Sequence, residues 1–162
     1  MTKLIHASGN LIDMAEQGLF NVIVHGCNCQ VTMGSGIARE IRERHPSAYQ
    51  ADIDFDKPSH HRISKLGNYS STVIDSDRYM FTIINAYTQY QFFPRGIDHF
   101  DYESFALILR KFSHVYPGYR FGFPYIGCGL AGGNKELIVA MLEDFAETVS
   151  AQHGKVTLVE FK

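Results

Sequence analysis

Apolar and polar positions along the chain alternate between two periods, and the switches between them predict where strands and helices lie. Val22-Ile23-Val24 is an unbroken apolar run, predicting a strand over Asn21 to Cys27 that is covered on both faces. Tyr102, Phe105, Ala106, Leu109 and Phe112 recur at helical spacing, predicting a helix from about Asp101 to His114. Leu137, Ile138, Met141, Leu142, Phe145 and Val149 define a second amphipathic helix, with Asn134 as N-cap and Gly154 as its breaker. A third helix is expected from Ile37 to Arg44, stopped by Pro46. Leu66 to Ile74 and Tyr79 to Ala86 read as an antiparallel hairpin around Asp75-Ser76-Asp77-Arg78.

Weaker patterns complete the frame. Strands are expected at Leu4 to His6, Arg120 to Ile126 and Val156 to Phe161, and short helical turns around Ile12 to Gln17 and Tyr49 to Phe55. Lys57 to Lys65 reads as a loop, and Tyr87 to Asp98 as an aromatic, proline-containing one. Strands alternating with helices, plus one hairpin, imply an α/β fold: a mixed central sheet with helices on both faces.

With 162 residues the chain has the length for one well-packed core, so residues 1–162 are expected to form a single domain. At 45% hydrophobic and 20% charged it has a globular composition, with no apolar run long enough to cross a bilayer. No signal-peptide core follows Met1, so a cytoplasmic location is expected; the chain is also expected to be a monomer. The net charge of −2 gives no general attraction to nucleic acid. Cys27, Cys29 and Cys128 cannot pair completely and are expected as packing thiols. Neither they nor the scattered histidines, including His60 and His61 in a polar stretch, have metal-ligand spacing. No metal and no cofactor is implied.

Candidate chemistry lies in two glycine-rich segments, Gly34-Ser35-Gly36-Ile37-Ala38 and Gly127-Cys128-Gly129-Leu130-Ala131-Gly132-Gly133. Each follows a strand pattern and leads into a helix pattern. Backbone amides freed by glycine and aimed by a helix start make an uncharged anion socket, and two such sockets suit a diphosphate between two sugars. In folds of this class ligands sit beyond the C-terminal ends of the parallel strands, where both loops emerge.

Val24-His25-Gly26-Cys27-Asn28-Cys29-Gln30, Met33-Gly34-Ser35-Gly36-Ile37-Ala38 and Pro124-Tyr125-Ile126-Gly127-Cys128-Gly129-Leu130 together resemble the macrodomain family, whose members bind ADP-ribose. Gly9-Asn10-Leu11 and Asn85-Ala86-Tyr87-Thr88-Gln89 also look like macrodomain segments, so the resemblance spans nearly the whole chain. It implies a three-layer α/β/α fold. The wording is most similar to the branch holding ADP-ribose-1″-phosphate phosphatases and glutamate-linked ADP-ribose hydrolases.

By this resemblance Gly9, Asn10 and Leu11 flank the adenine, with Asn10 standing where macrodomains commonly carry an Asp that accepts from the adenine amino group. A turn-forming Asn is the competing reading of Asn10. Gly34, Ser35, Gly36 and Ile37 resemble the distal-ribose and phosphate loop; Gly127, Cys128, Gly129, Leu130 and Ala131 resemble the second phosphate loop. Asn28 is expected to position a water or ribose hydroxyl, and His25 to act as general acid or base, against the alternative of a satisfied core histidine. Nothing in the sequence activates Cys128 as a thiolate. Tyr87, Tyr90, Phe92 and Phe93 offer rings to stack on the base or cover the ribose, or to fill core; Gln89 accompanies Tyr87. Asp52 and Asp54 are read as structural.

The chain departs from the glutamate-linked hydrolases, which use a Lys at the end of the hairpin strand and an acid after the second loop. Asn85-Ala86-Tyr87-Thr88 and Ala131 stand there instead. The expectation is therefore binding of ADP-ribose or a derivative of it, with hydrolysis of ADP-ribose-1″-phosphate to ADP-ribose and phosphate. The alternatives are removal of ADP-ribose from modified protein or nucleic acid, and a non-catalytic reader.

Overall fold

The computed structural model describes residues 2–56, 61–94, 96–129 and 131–162. Twelve short segments alternate as the patterning requires: β1 (Ile5–Gly9), α1 (Leu11–Glu16), β2 (Val22–Cys27), α2 (Gly36–Arg44), α3 (Pro46–Phe55), a 3-10 turn (Arg62–Lys65), β3 (Tyr69–Asp75), β4 (Met80–Tyr87), α4 (Tyr102–Val115), β5 (Arg120–Phe123), α5 (Lys135–Ala151) and β6 (Lys155–Phe161). No helix among the described residues is long and apolar enough to cross a membrane.

The strands form one sheet in the order β1-β6-β5-β2-β4-β3. Every neighbouring pair is parallel except β3 with β4. The parallel strands therefore end at one edge of the sheet, and Asn10, Asn28, Thr88, Pro124 and Phe161 all emerge there. Side chains alternate between the two faces. Val22, Val24, Ile84, Phe121, Phe123 and Leu158 pack with α4 and α5, whereas Ile23, Ile83 and Val159 pack with Leu11, Ile12, Ile41 and Ala48 of α1, α2 and α3.

Three elements differ from the sequence expectation. Pro46 ends α2 but also occupies the first turn of α3, where a missing N–H costs nothing, so α3 is a ten-residue helix and not a single turn. The strand expected to reach Ile126 stops at Phe123, because Pro124 has no N–H to donate to a ladder. Within the segment read as a loop, the 3-10 turn buries Lys65.

Candidate functional site

The open end of the sheet carries a cleft of about 700 Å³, within the range of small-molecule sites. Gly9, Asn10 and Leu11 form one wall with Gly36, Ile37 and Glu40; Pro124, Tyr125, Cys128, Gly129 and Lys135 form the opposite one. Val159, Glu160 and Phe161, from the end of β6, close the side next to β1.

The helix starts around this cleft are not equivalent. Asn10, Asp101 and Asn134 cap α1, α4 and α5 through side-chain oxygens that accept from Asp13, Ser104 and Leu137 amides. Ser35 makes no side-chain capping bond to α2. Its first-turn amides lie at the cleft wall, and Gly36 sits at φ +57° with open space where a Cβ would stand. Unpaired amides at a helix start, with the positive end of the helix dipole behind them, are an anion site.

The second glycine loop is folded on itself. Cys128, Gly132 and Gly133 amides donate to Tyr125, Gly129 and Gly127 carbonyls at 3.1, 3.1 and 2.7 Å. Gly127, at φ +73°, lies against the Phe100 ring where any Cβ would collide. Ala131 is buried and its carbonyl accepts from the His99 amide, while Leu130 lies outside the described residues. The loop reaches the cleft through Cys128 and Gly129, and with α5 capped it offers less than the open socket expected from its glycines. Burial pushes the Cys128 thiol up, so it stands there protonated.

Several cleft residues were not foreseen, among them Glu40, Lys135 and Phe161. Glu40 follows Gly36 by four positions and so shares its helix face, a spacing that was available in the sequence. Lys135 opens α5 with its ammonium 4.2 Å from the centre of the Tyr125 ring. Phe161 is 76% exposed, an aromatic at the end of a strand whose preceding apolar residues are all buried. Its exposure at a strand end was the signal that the last apolar position is not core.

Of the residues expected at the site, Gly9, Asn10, Leu11, Gly36, Ile37, Cys128 and Gly129 line the cleft. Gly34 and Ser35 are exposed in the loop leading to α2. Asn28 is half-buried in the same loop, where its amide donates to Thr32 Oγ1 (2.7 Å) and its oxygen accepts from the Gln30 amide (2.8 Å). Gln89 is half-buried and donates to the Gln91 carbonyl.

His25 and Tyr87 lie elsewhere, both with no exposed surface, in a polar cluster on the α3 face of the sheet. The order of donors can be followed through it. Asn85 Nδ2 donates to the Ala48 carbonyl (2.9 Å) and Ser70 Oγ (3.0 Å), so Asn85 Oδ1 accepts from His25 Nε2 at 2.6 Å. The histidine therefore carries a proton on Nε2. Ser70 donates to Tyr87 (2.8 Å), and Tyr87 to Asp52 Oδ1 (2.7 Å), which also takes the buried Lys65 ammonium at 3.2 Å. Burial lowers the His25 pKa, outweighing the Asn85 hydrogen bond and the Asp52 charge. Burial, together with Asp52, raises that of Tyr87. Tyr87 also stacks on Phe55 with centroids 5.3 Å apart. His25 is thus a hydrogen-bonded core residue and Tyr87 a core ring, and neither lines the cleft where a proton-transfer role for His25 and a ligand contact by Tyr87 were expected. Cys27 and Cys29 join Tyr87 in this cluster, and burial pushes Cys29 up to about 11.

No family model matches the chain. It is 29% identical over 147 residues to the uncharacterized 17.5 kDa protein in the tk-vs intergenic region of Enterobacteria phage T4, covering 87% of this chain and 88% of that one. A shorter match, 36% over 50 residues, is to an ADP-ribose 1″-phosphate phosphatase of Ajellomyces capsulatus, covering 31% of this chain and 18% of that protein. Among solved structures, the macrodomain of Mycobacterium tuberculosis DarG superposes with a TM-score of 0.77 at 16% identity, covering 98% of each chain. The Thermus aquaticus DarG macrodomain gives 0.68 at 18% identity, over 97% of each. A Trypanosoma brucei macrodomain in complex with ADP-ribose gives 0.64 at 12%, over 98% of this chain and 63% of that one.

This chain has the macrodomain fold.

Within the macrodomain fold the cleft and the buried cluster fall on opposite parts of the same sheet edge. The cleft spans the ends of β1, β6 and β5 with the start of α2. The cluster lies under the ends of β2, β4 and β3, with β2 and β4 paired at His25 and Asn85. Among the described residues no group of three or more His, Cys, Asp or Glu side chains is placed to hold a metal ion.

Proposed function

We propose that the cleft binds ADP-ribose or a derivative of it, with the diphosphate on the first-turn amides of α2 and the adenine toward Phe161. The observation that carries this reading is the uncapped start of α2 at Gly36 on the wall of a cleft of nucleotide size, in a chain that shares its fold with a macrodomain solved with ADP-ribose. A diphosphate there replaces water on amides that no side chain serves. Lys135 adds a cation on the facing wall. Phe161 offers an exposed ring for the base, and stacking on an aromatic contributes about 1–3 kcal/mol per base. Calorimetric titration with ADP-ribose tests this: one saturable site is expected, and absence of heat at millimolar ligand would refute it.

A second reading concerns turnover, and the match to the named phosphatase favours it. In it the chain hydrolyses ADP-ribose-1″-phosphate to ADP-ribose and phosphate. Asn28, on the loop between β2 and α2 that leads to the phosphate-binding wall, would orient the water. His25 takes no part. Phosphate release lost in Asn28→Ala and kept in His25→Gln supports this assignment. Binding without phosphate release moves the chain to a reader, or to a hydrolase acting on ADP-ribosylated protein or nucleic acid.

A further inference from the structure

The cleft is chemically divided along the strand order. Its β5 side carries Lys135 and faces the uncapped α2 start; its β1 and β6 side carries Phe161 and Glu160, and is reached at Asn10 by Glu40, one turn along α2 from Gly36. A diphosphate is repelled by the second half and attracted to the first. Given the ADP-ribose reading, on which this inference rests, the base occupies the half with the carboxylates.

Asn10, the acceptor expected there, is already committed. Its Oδ1 accepts from the Asp13 amide at 2.9 Å as the cap of α1. Its Nδ2 points at Glu40, 2.9 Å from Oε1 and 3.2 Å from Oε2. A carboxylate offers about four acceptor directions, and Asn10 meets part of that capacity. Arg44 does not consume the rest. Its nearest approach to Glu40 is 3.8 Å, while it holds Asp13 and Glu16 at 2.8 Å each. The Glu40 side chain is 31% exposed on the cleft wall.

We infer that Glu40, held in place by the Asn10 amide, is the residue that reads the nucleobase, and that it selects a purine bearing an exocyclic amino group at its 6-position. The amino hydrogens donate to the carboxylate. A purine with hydrogen at that position leaves the carboxylate to water and gains nothing. Asn10 is a positioning residue in this arrangement: it aligns Glu40 and caps α1.

The test is a cycle of affinities for ADP-ribose and its 6-deamino analogue, in which hydrogen replaces the amino group, using the native chain, Glu40→Gln and Glu40→Ala. The native chain should prefer ADP-ribose about tenfold to a hundredfold, the size of a hydrogen bond to a charged group. Glu40→Gln keeps a neutral acceptor and should retain a reduced preference, while Glu40→Ala should bind both ligands alike. A native chain that binds both equally, or a preference that survives in Glu40→Ala, overturns the assignment to Glu40 and leaves the cleft reading standing. Failure of the native chain to bind ADP-ribose overturns the cleft reading and the inference together. Circular dichroism of each variant separates loss of the carboxylate from loss of the fold.

Discussion

The cleft and the His25 cluster are both concentrations of polar side chains on the same sheet, yet they leave opposite things unsatisfied. In the cluster, each donor from Lys65 and Asn85 through Ser70 and Tyr87 ends on an acceptor of the protein itself, and the one oxygen left without a partner, Asp52 Oδ2, is buried away from solvent. In the cleft, the α2 start has no side-chain cap, Phe161 has no cover and Glu40 has acceptor capacity facing solvent. A network whose donors all end within the protein specifies packing. An open set of groups held rigidly by capped neighbours is what a ligand can complete. Function is therefore proposed for the region whose unmet groups face solvent, although the other holds the residues that look more chemical in sequence.

Substitutions should separate the two regions cleanly. The largest effect on stability is expected from Lys65→Met, which strips the buried Asp52 of its countercharge at a cost of about 3–5 kcal/mol by urea denaturation, while the folded fraction keeps its ADP-ribose affinity. In the cleft, Gly36→Val places a branched side chain over the α2 amides and strains a positive φ. A loss of ADP-ribose affinity of about tenfold to a hundredfold by calorimetry is expected, with roughly 1–2 kcal/mol of destabilisation. Phe161→Ala should cost about fivefold to a hundredfold in affinity and leave stability unchanged, since the ring is 76% exposed.

The smallest effect is a pH dependence that belongs to the cluster alone. Because burial holds the His25 pKa below its unfolded value of about 6.5, its contribution is fully present above that pH. As pH falls through 6.5 the unfolded chain takes up a proton that the folded one excludes. Stability should drop by at most about 1.4 kcal/mol per pH unit until the folded value is reached. Urea denaturation at pH 7.5 and 5.5 should show a shallower dependence in His25→Gln than in the native chain. An identical dependence in both would mean that His25 is not held neutral.

The sheet and its helices were legible because burial imposes period: β2 as an apolar run, α4 and α5 as stripes, Asn134 as a cap. Boundaries moved where proline acts in two ways, at Pro46 and Pro124. Both glycine loops reach the cleft, but glycine does not say whether its amides face a ligand or its own loop, and the amides of Cys128, Gly132 and Gly133 turn to the latter. The burial of His25 was not legible because orientation across a strand depends on which helix covers that face. Asn85, sixty residues away and directly opposite in the ladder, decides it. Glu40 escaped notice because an exposed glutamate on an amphipathic helix is ordinary until β1 places Asn10 beside it.

The most direct test of the account is an amide NMR titration of the native chain with ADP-ribose. Saturable shifts concentrated at Gly36, Ile37, Glu40, Gly129 and Phe161, with His25, Asn85 and Lys65 unmoved, are the predicted result. Shifts centred on the His25 cluster, or none at saturating ligand, would contradict it.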